Sequence, residues 1–215
     1  MTLDDFHRAM DGNCWGPLHA ILAVLPHMRS RRWGRIVNVA SIGGKKAVPH
    51  LLPYDASKFA LVGLSTGLRT ELLKDGILVT TANPTLMRTG SPRNAEFNGR
   101  HCEEYAWFSL GDSLPIVSVD AGRAADQILR ACQNGDAEVF ITNLLNPAVI
   151  ATKFAPALTT EVLSLIDRFI LPGMGGVGQQ SRRGYESESF ISPSPVTTLN
   201  EQAARRNNEM RPRQQ

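Results

Sequence analysis

Three side chains of different chemistry stand close together in one stretch of the chain: the hydroxyl of Ser41, the phenol of Tyr54 and the amine of Lys58. Tyr54 and Lys58 are four positions apart, so on a helix one turn brings them to the same face. Ser41 lies thirteen residues before Tyr54, at the end of an apolar run that reads as a buried strand. A free phenol ionises near pH 10, too high for a good proton carrier at neutral pH. An ammonium a few ångströms away favours the phenolate, which moves the phenol toward the range where acid–base transfer works. The spacing therefore predicts a proton-transfer site, with Lys58 lowering the ionisation of Tyr54 and Ser41 holding the oxygen of a carbonyl or alcohol.

The elements that must position these groups follow from hydrophobic period and end signals. Thr2, followed by Asp4 and Asp5, starts a helix over 3–31, which Pro17 and Pro26 bend or divide. Leu18, Ile21, Leu22, Leu25 and Met28 give that helix one apolar face. Gly34 suits a left-handed stop after the cations Arg29, Arg31 and Arg32, so this basic cluster reads as a helix end. A strand at 35–41 follows, then a helix over 54–74 closed by Asp75-Gly76, then a strand at 77–82. Residues 83–118 read as an irregular lid that includes His101-Cys102-Glu103-Glu104 as a solvated loop. Asp120 caps a helix to about Cys132, Glu138–Thr142 is a third strand, and further helix lies within 146–171. The alternation of helix and strand predicts an α/β fold with parallel strands.

A length of 215 residues suits one domain, expected over 1–172, with a Gly-, Ser-, Arg-, Asn- and Gln-rich tail at 173–215 expected to be disordered. The apolar fraction of 42% is that of a soluble protein, with no run long enough to span a bilayer. Of the net charge of +3, the tail supplies two, six arginines against four glutamates. A basic domain face for nucleic acid is thus unsupported, and a tail acting on nucleic acid or a membrane surface is a weak reading. Cys14, Cys102 and Cys132 have neither disulfide nor zinc spacing, and no metal site is expected. With no secretory signal at the amino terminus, a cytoplasmic setting is expected.

Several motifs in this order resemble the short-chain dehydrogenase/reductase family over roughly residues 3–145. Asn13-Cys14-Trp15-Gly16 is similar to the family's asparagine segment, and Gly34-Arg35-Ile36-Val37-Asn38-Val39-Ala40-Ser41 to its serine strand. Tyr54-Asp55-Ala56-Ser57-Lys58 and Leu68-Arg69-Thr70-Glu71-Leu72 resemble its active-site helix, and Asn83-Pro84-Thr85-Leu86-Met87-Arg88-Thr89 its nicotinamide-contacting segment. The resemblance implies the C-terminal part of a Rossmann-like doubly wound parallel sheet with added C-terminal helices. It implies an NAD(P)-dependent oxidoreductase that interconverts an alcohol and a ketone, with NADP or NAD as cofactor and a small-molecule alcohol or carbonyl compound as substrate. Tyr54 would be the general acid/base, Ser41 would orient the substrate oxygen, Lys58 would also bind the nicotinamide ribose, and Asn13 would hold a relay water. Pro84, Met87 and Thr89 would line the cofactor with Tyr54 and Lys58. The helices at 3–31 and 54–74 would form a homo-oligomer interface.

Two departures shape the expectation. Thr85 stands where the family has glycine, and threonine resists positive φ, so that loop is expected to be displaced. The family's Gly-rich phosphate turn is not found before Asn13, and the chain is expected to lack that N-terminal half. Gly173-Met174-Gly175-Gly176-Val177-Gly178 matches the turn's spacing but follows a helix and Pro172 rather than a strand, and reads as a linker. Without that half the serine strand becomes an edge, which favours self-association. The alternative to an enzyme is a non-catalytic chain that acts only through helix-mediated association.

Overall fold

The structure is a computed structural model and describes residues 1–115, 117–142, 155–169, 171, 173, 181–190 and 192–210. It divides into two units, one of Thr2–Thr85 with Ala124–Ile141, the other of Leu86–Arg123 with Thr142–Gln215 and Met1.

The first unit opens with α1 (Leu3–Met10), whose start is a capping box: Thr2 Oγ1 accepts from the Asp5 amide, and the Asp5 carboxylate accepts from the Thr2 amide at 2.6 Å. A π-helical turn (Asp11–Trp15) leads into α2 (Gly16–Ser30). The expected break is therefore at 11–15; Pro17 sits in the first turn of α2, where its missing N–H costs nothing, and the helix runs on past Pro26. Gly34 is not the left-handed stop. Arg32 takes that conformation (φ 52), and Gly34 instead opens β1 (Gly34–Val39), where a β-carbon would come within 2.6 Å of Met28 Sδ.

The helix α3 (Leu52–Leu72) ends through a short 3-10 turn at Gly76, whose left-handed φ of 72 supplies the stop expected at Asp75-Gly76. β2 (Ile77–Pro84) pairs in parallel with β1 from Gly34↔Ile77 to Val39↔Ala82, and with Glu138–Ile141 on its other side. The parallel α/β arrangement expected from the element order is what forms. The strands are covered by Ile21 and Leu25 of α2 and Leu72 of α3, which bury with Ile36, Ile77 and Val79 as one core. Each such side chain removed from water contributes roughly 1.5–3 kcal/mol. In the sheet order, Gly34–Val39 has a neighbour on one side only among the described residues, as expected for an edge.

The second unit corrects the reading of 83–118 as irregular. It contains β3 (Leu86–Arg88), β4 (Glu96–Phe97), α4 (His101–Ser113) and β5 (Ser118–Asp120), with β3 and β5 paired in parallel. His101-Cys102-Glu103-Glu104 is the first turn of α4, where acids favour a helix N-terminus, and the buried Tyr105, Ala106 and Ser109 hold that helix in place. Asp120 does cap the next helix, α5 (Ala121–Asn134), accepting the Gly122 and Arg123 amides at 3.0 and 3.3 Å. The third strand of the main sheet, β6, is Glu138–Ile141. Of the helix expected within 146–171, α6 spans Pro156–Phe169.

Residues 181–210 are not a structureless tail. They form β7 (Arg182–Arg183), antiparallel to β4, and α7 (Thr198–Arg206), which buries Ala203 and Ala204. Arg93 reaches Glu188 at 2.9 Å and Glu201 at 3.2 Å, so the polar composition that suggested disorder supplies ion pairs instead. The glycine spacing at 174–178 lies outside the described residues. No helix among the described residues is long and apolar enough to cross a membrane.

Candidate active site

The first unit carries the site. Past Val39 the chain runs extended to Ser41, whose hydroxyl caps a 3-10 turn (Ile42–Gly44) by accepting the Gly43 amide at 3.1 Å. Pro53 lies in the first turn of α3, where its fixed φ suits a helix start, and this places Tyr54 one turn before Lys58. The Ser41 hydroxyl lies beside the Tyr54 ring, both within 3.5 Å of the position a β-carbon would take at Gly43, and it pulls the ionisation of the phenol down. Lys58 Nζ lies 5.6 Å from the centre of the Tyr54 ring and donates to the Val39 carbonyl at 3.1 Å. The three residues singled out by type and spacing are therefore brought together.

Asn13 joins them through the π turn, a helical irregularity found mostly at functional sites. Its side-chain amide donates to Ser57 Oγ at 3.1 Å, and Ser57 Oγ donates to the Tyr54 carbonyl at 2.6 Å. The Asn13 amide is thus tied to the first turn of the active-site helix.

The electrostatics differ from the expectation. Burial pushes the Tyr54 phenol above its ordinary ionisation; the Ser41 hydrogen bond pulls it down, and the charge of Asp55 pushes it up again. Lys58 does not dominate, because its ammonium lies over the ring and spends a proton on Val39, while burial pulls its own ionisation down.

Asp55 was not among the residues singled out from sequence. It is 1% exposed, its Oδ2 accepts the Val48 amide at 2.7 Å, and Oδ1 has no hydrogen-bond partner. Burial raises its carboxyl to about 7. The signal was available: Asp55 stands seven positions before Val62, on the buried stripe of the helix, where a carboxylate is out of place.

Pro84 ends β2, beside the strand that leads to Ser41. Thr85 avoids the strain expected of it: it is not at positive φ, and its amide and hydroxyl both donate to the Ile141 carbonyl, at 3.0 and 3.1 Å. Met87 and Thr89 belong to the second unit, Met87 in β3 opposite Val119 and Thr89 with its hydroxyl accepting the Ser91 amide at 3.0 Å. Lys45 pairs with Glu138, which also accepts from the Asn83 side-chain amide at 2.8 Å. Among the described residues no group of three or more His, Cys, Asp or Glu could hold a metal ion.

The residues fit the nicotinamide-ribose end of a dinucleotide by their donor chemistry. An ammonium has three protons, and Lys58 gives one to Val39, which leaves two for ribose hydroxyls. Lys58 also borders an open groove of about 510 Å³ with Gly12, Asn13 and Val39.

The chain is similar in sequence and fold to known proteins. Residues 1–98 match the family model for short chain dehydrogenase. Dehydrogenase/reductase SDR family member 7C from Xenopus tropicalis is 33% identical over 169 residues, 76% of this chain and 52% of that protein. The 17-beta-hydroxysteroid dehydrogenase 13 of Homo sapiens is 37% identical over 164 residues, 75% of this chain and 49% of that protein. The chain thus spans about half the length of the curated relatives it matches. Among solved structures, a short chain dehydrogenase from Burkholderia cenocepacia in complex with NADP superposes with a TM-score of 0.52 and 25% identity, over 76% of this chain and 58% of that one. An acetoin dehydrogenase from Salmonella typhimurium, 21% identical with a TM-score of 0.50 over 66% of this chain and 55% of that one, shares the fold. With the serine strand, the tyrosine–lysine helix turn and the parallel sheet all in place, the chain belongs to the short-chain dehydrogenase/reductase family.

Proposed function

We propose that this chain carries the proton-transfer site of an NAD(P)-dependent oxidoreductase that interconverts an alcohol and a ketone. The observation that carries the reading is the Ser41 hydroxyl beside the Tyr54 phenol, with the Lys58 ammonium 5.6 Å from the centre of the same ring. Ser41 holds the substrate oxygen. Tyr54 gives that oxygen a proton when a ketone is reduced and takes it when an alcohol is oxidised. Lys58 binds ribose hydroxyls, Asn13 holds a relay water, and Pro84, Met87 and Thr89 contact the nicotinamide. A bound nicotinamide cofactor, NADP or NAD, supplies the hydride chemistry. The neighbour solved with NADP and the dehydrogenase names of the relatives support the same reaction class. Three thiols outside any disulfide suit a reducing, cytoplasmic setting.

The test is a fluorescence titration with NADPH and NADH, followed by carbonyl reduction with the chain and with Tyr54→Phe. Cofactor binding and a loss of about 10²- to 10⁴-fold in turnover in the variant are expected. Absence of cofactor binding, or turnover indifferent to the phenol, rejects the proposal.

A second reading, association without catalysis, draws on the exposed edge of the sheet: among the described residues β1 has a single neighbour, and Val39 is 44% exposed beside the open groove. In that reading, and in a catalytic homo-oligomer, the helices at 3–31 and 54–74 form the contact. Monomeric behaviour at micromolar concentration argues against both forms of association.

A further inference from the structure

We propose that Asp55 is a positioning residue of this site: its buried carboxylate clasps the 45–51 loop to the active-site helix through the Val48 amide and sets a negative charge beside the Tyr54 phenol. This rests on the reading of Tyr54 as the proton carrier. Three atoms converge on Gly43, since a β-carbon built there would lie 2.6 Å from Asp55 Oδ1, 3.3 Å from Tyr54 Cε1 and 3.5 Å from Ser41 Oγ. The carboxylate therefore shares a packed space with the reacting phenol and its hydroxyl partner. Its two oxygens have separate roles. Oδ2 holds the backbone of the loop that joins the Ser41 turn to α3, accepting the Val48 amide at 2.7 Å. Oδ1 has no partner.

A buried carboxylate with one unsatisfied oxygen is costly, and an apolar or small residue would remove that cost. Its presence is explained by what it does to its neighbours. When ionised it holds the loop by a charge-assisted hydrogen bond and opposes formation of the phenolate; when protonated it does neither as strongly. The charged and titratable groups on the elements around it are Tyr54, Lys58, Arg69 and Glu71 on its own helix, Lys45, Lys46 and His50 on the loop it holds, and Asp4, Asp5, His7, Arg8, Asp11 and Cys14 on α1 and the π turn packed against that helix. Lys45 is engaged by Glu138, and burial and the Val48 amide alone account for the ionisation of Asp55, which burial raises to about 7. The clasp and the charge set beside the phenol thus both change as Asp55 titrates.

The experiment avoids turnover, so its outcome is separable from that of the oxidoreductase reading. Hydrogen exchange of the Val48 amide by NMR reports the clasp. The ultraviolet titration of Tyr54, isolated by difference from Tyr54→Phe in each background, reports the charge. In Asp55→Asn the side-chain oxygen still accepts the Val48 amide and the charge is gone: Val48 stays protected and Tyr54 titrates at lower pH than in the parent chain. In Asp55→Ala, Val48 exchanges about tenfold faster or more, as expected for loss of one charge-assisted bond. If Asp55→Ala does not fold, the Asp55→Asn titration alone decides. A Tyr54 titration unmoved by Asp55→Asn, or Val48 protection unchanged in a folded Asp55→Ala, overturns the proposal.

Discussion

The side-chain amide of Asn13 lies 3.1 Å from the hydroxyl of Ser57, joining the π turn before α2 to the active-site helix 44 positions later. The turn holds a residue of the site in place, and the bond ties it to the backbone that carries Tyr54. Replacing Asn13 by Ala removes one half-buried donor, while Ser57 Oγ keeps its bond to the Tyr54 carbonyl. A stability loss of about 1 kcal/mol is expected in urea unfolding. A larger fall in carbonyl reduction than that loss explains would support the water-holding role proposed for Asn13 over a merely structural one.

Gly43 and Gly44 differ in what surrounds them. A β-carbon at Gly43 meets the Asp55 side chain at 2.6 Å, whereas at Gly44 it meets the Lys58 carbonyl oxygen and carbon at 2.6 and 2.9 Å. A side chain can turn aside and a helix backbone cannot. Gly44→Ala is therefore expected to cost more than Gly43→Ala, with about 1–3 kcal/mol for the former, as overpacking does. Equal midpoints for the two variants in chemical unfolding would contradict this.

Arg69 of α3 binds three carbonyls: Val79 at 3.0 Å, Gly135 at 2.8 Å and Asp136 at 3.4 Å. One guanidinium fork joins the helix, the central strand and the turn before β6. Arg69→Met keeps the stem and loses the fork, so a destabilisation of about 2–3 kcal/mol is expected by thermal or urea unfolding, with Lys restoring only part of it.

Asp112 is 2% exposed, and burial raises its carboxyl from 3.8 to about 8, against the pull of Arg88. Between these values the folded chain holds a proton that the unfolded chain has released. The contribution to stability is complete below about pH 4 and is lost as the pH rises through 8. Asp55 slopes in the same direction up to about 7. Asp112→Asn is expected to flatten the decline in stability from pH 5 to 8 and to exceed the parent by about 2 kcal/mol at pH 8. Urea midpoints measured across that range check the slope; a parent chain that gains stability over it would refute the assignment.

The edge position of β1 predicts self-association, since its outer backbone groups have no strand beside them among the described residues. Val39→Lys places a charge on this edge and is expected to shift sedimentation toward the monomer. An unchanged distribution would place the contact elsewhere.

Residue type and spacing were enough to single out Ser41, Tyr54 and Lys58, because a helical turn and a strand end are local geometries, whereas Asn13 came from the family resemblance. The parallel α/β order was legible for the same reason: caps such as Thr2 and stops such as Gly76 act within a few residues. The length of β2 was less legible, as Asn83 and Pro84 carry no strand signal yet pair with Phe140 and Ile141. The helix at His101 was missed because its polar first turn hides a buried face that depends on distant partners. The polar stretch after residue 180 was misread because composition does not reveal that Arg93 waits for Glu188 and Glu201.

What local spacing decided, then, is which groups can exchange a proton and on which elements they ride. What folding in three dimensions decided is their ionisation. Tyr54 is pushed up and not down, because its burial and the charge of Asp55 depend on atoms brought from Ser41, Gly43 and Val48. Desolvation is a property of the packed surroundings, and no reading along the chain supplies it.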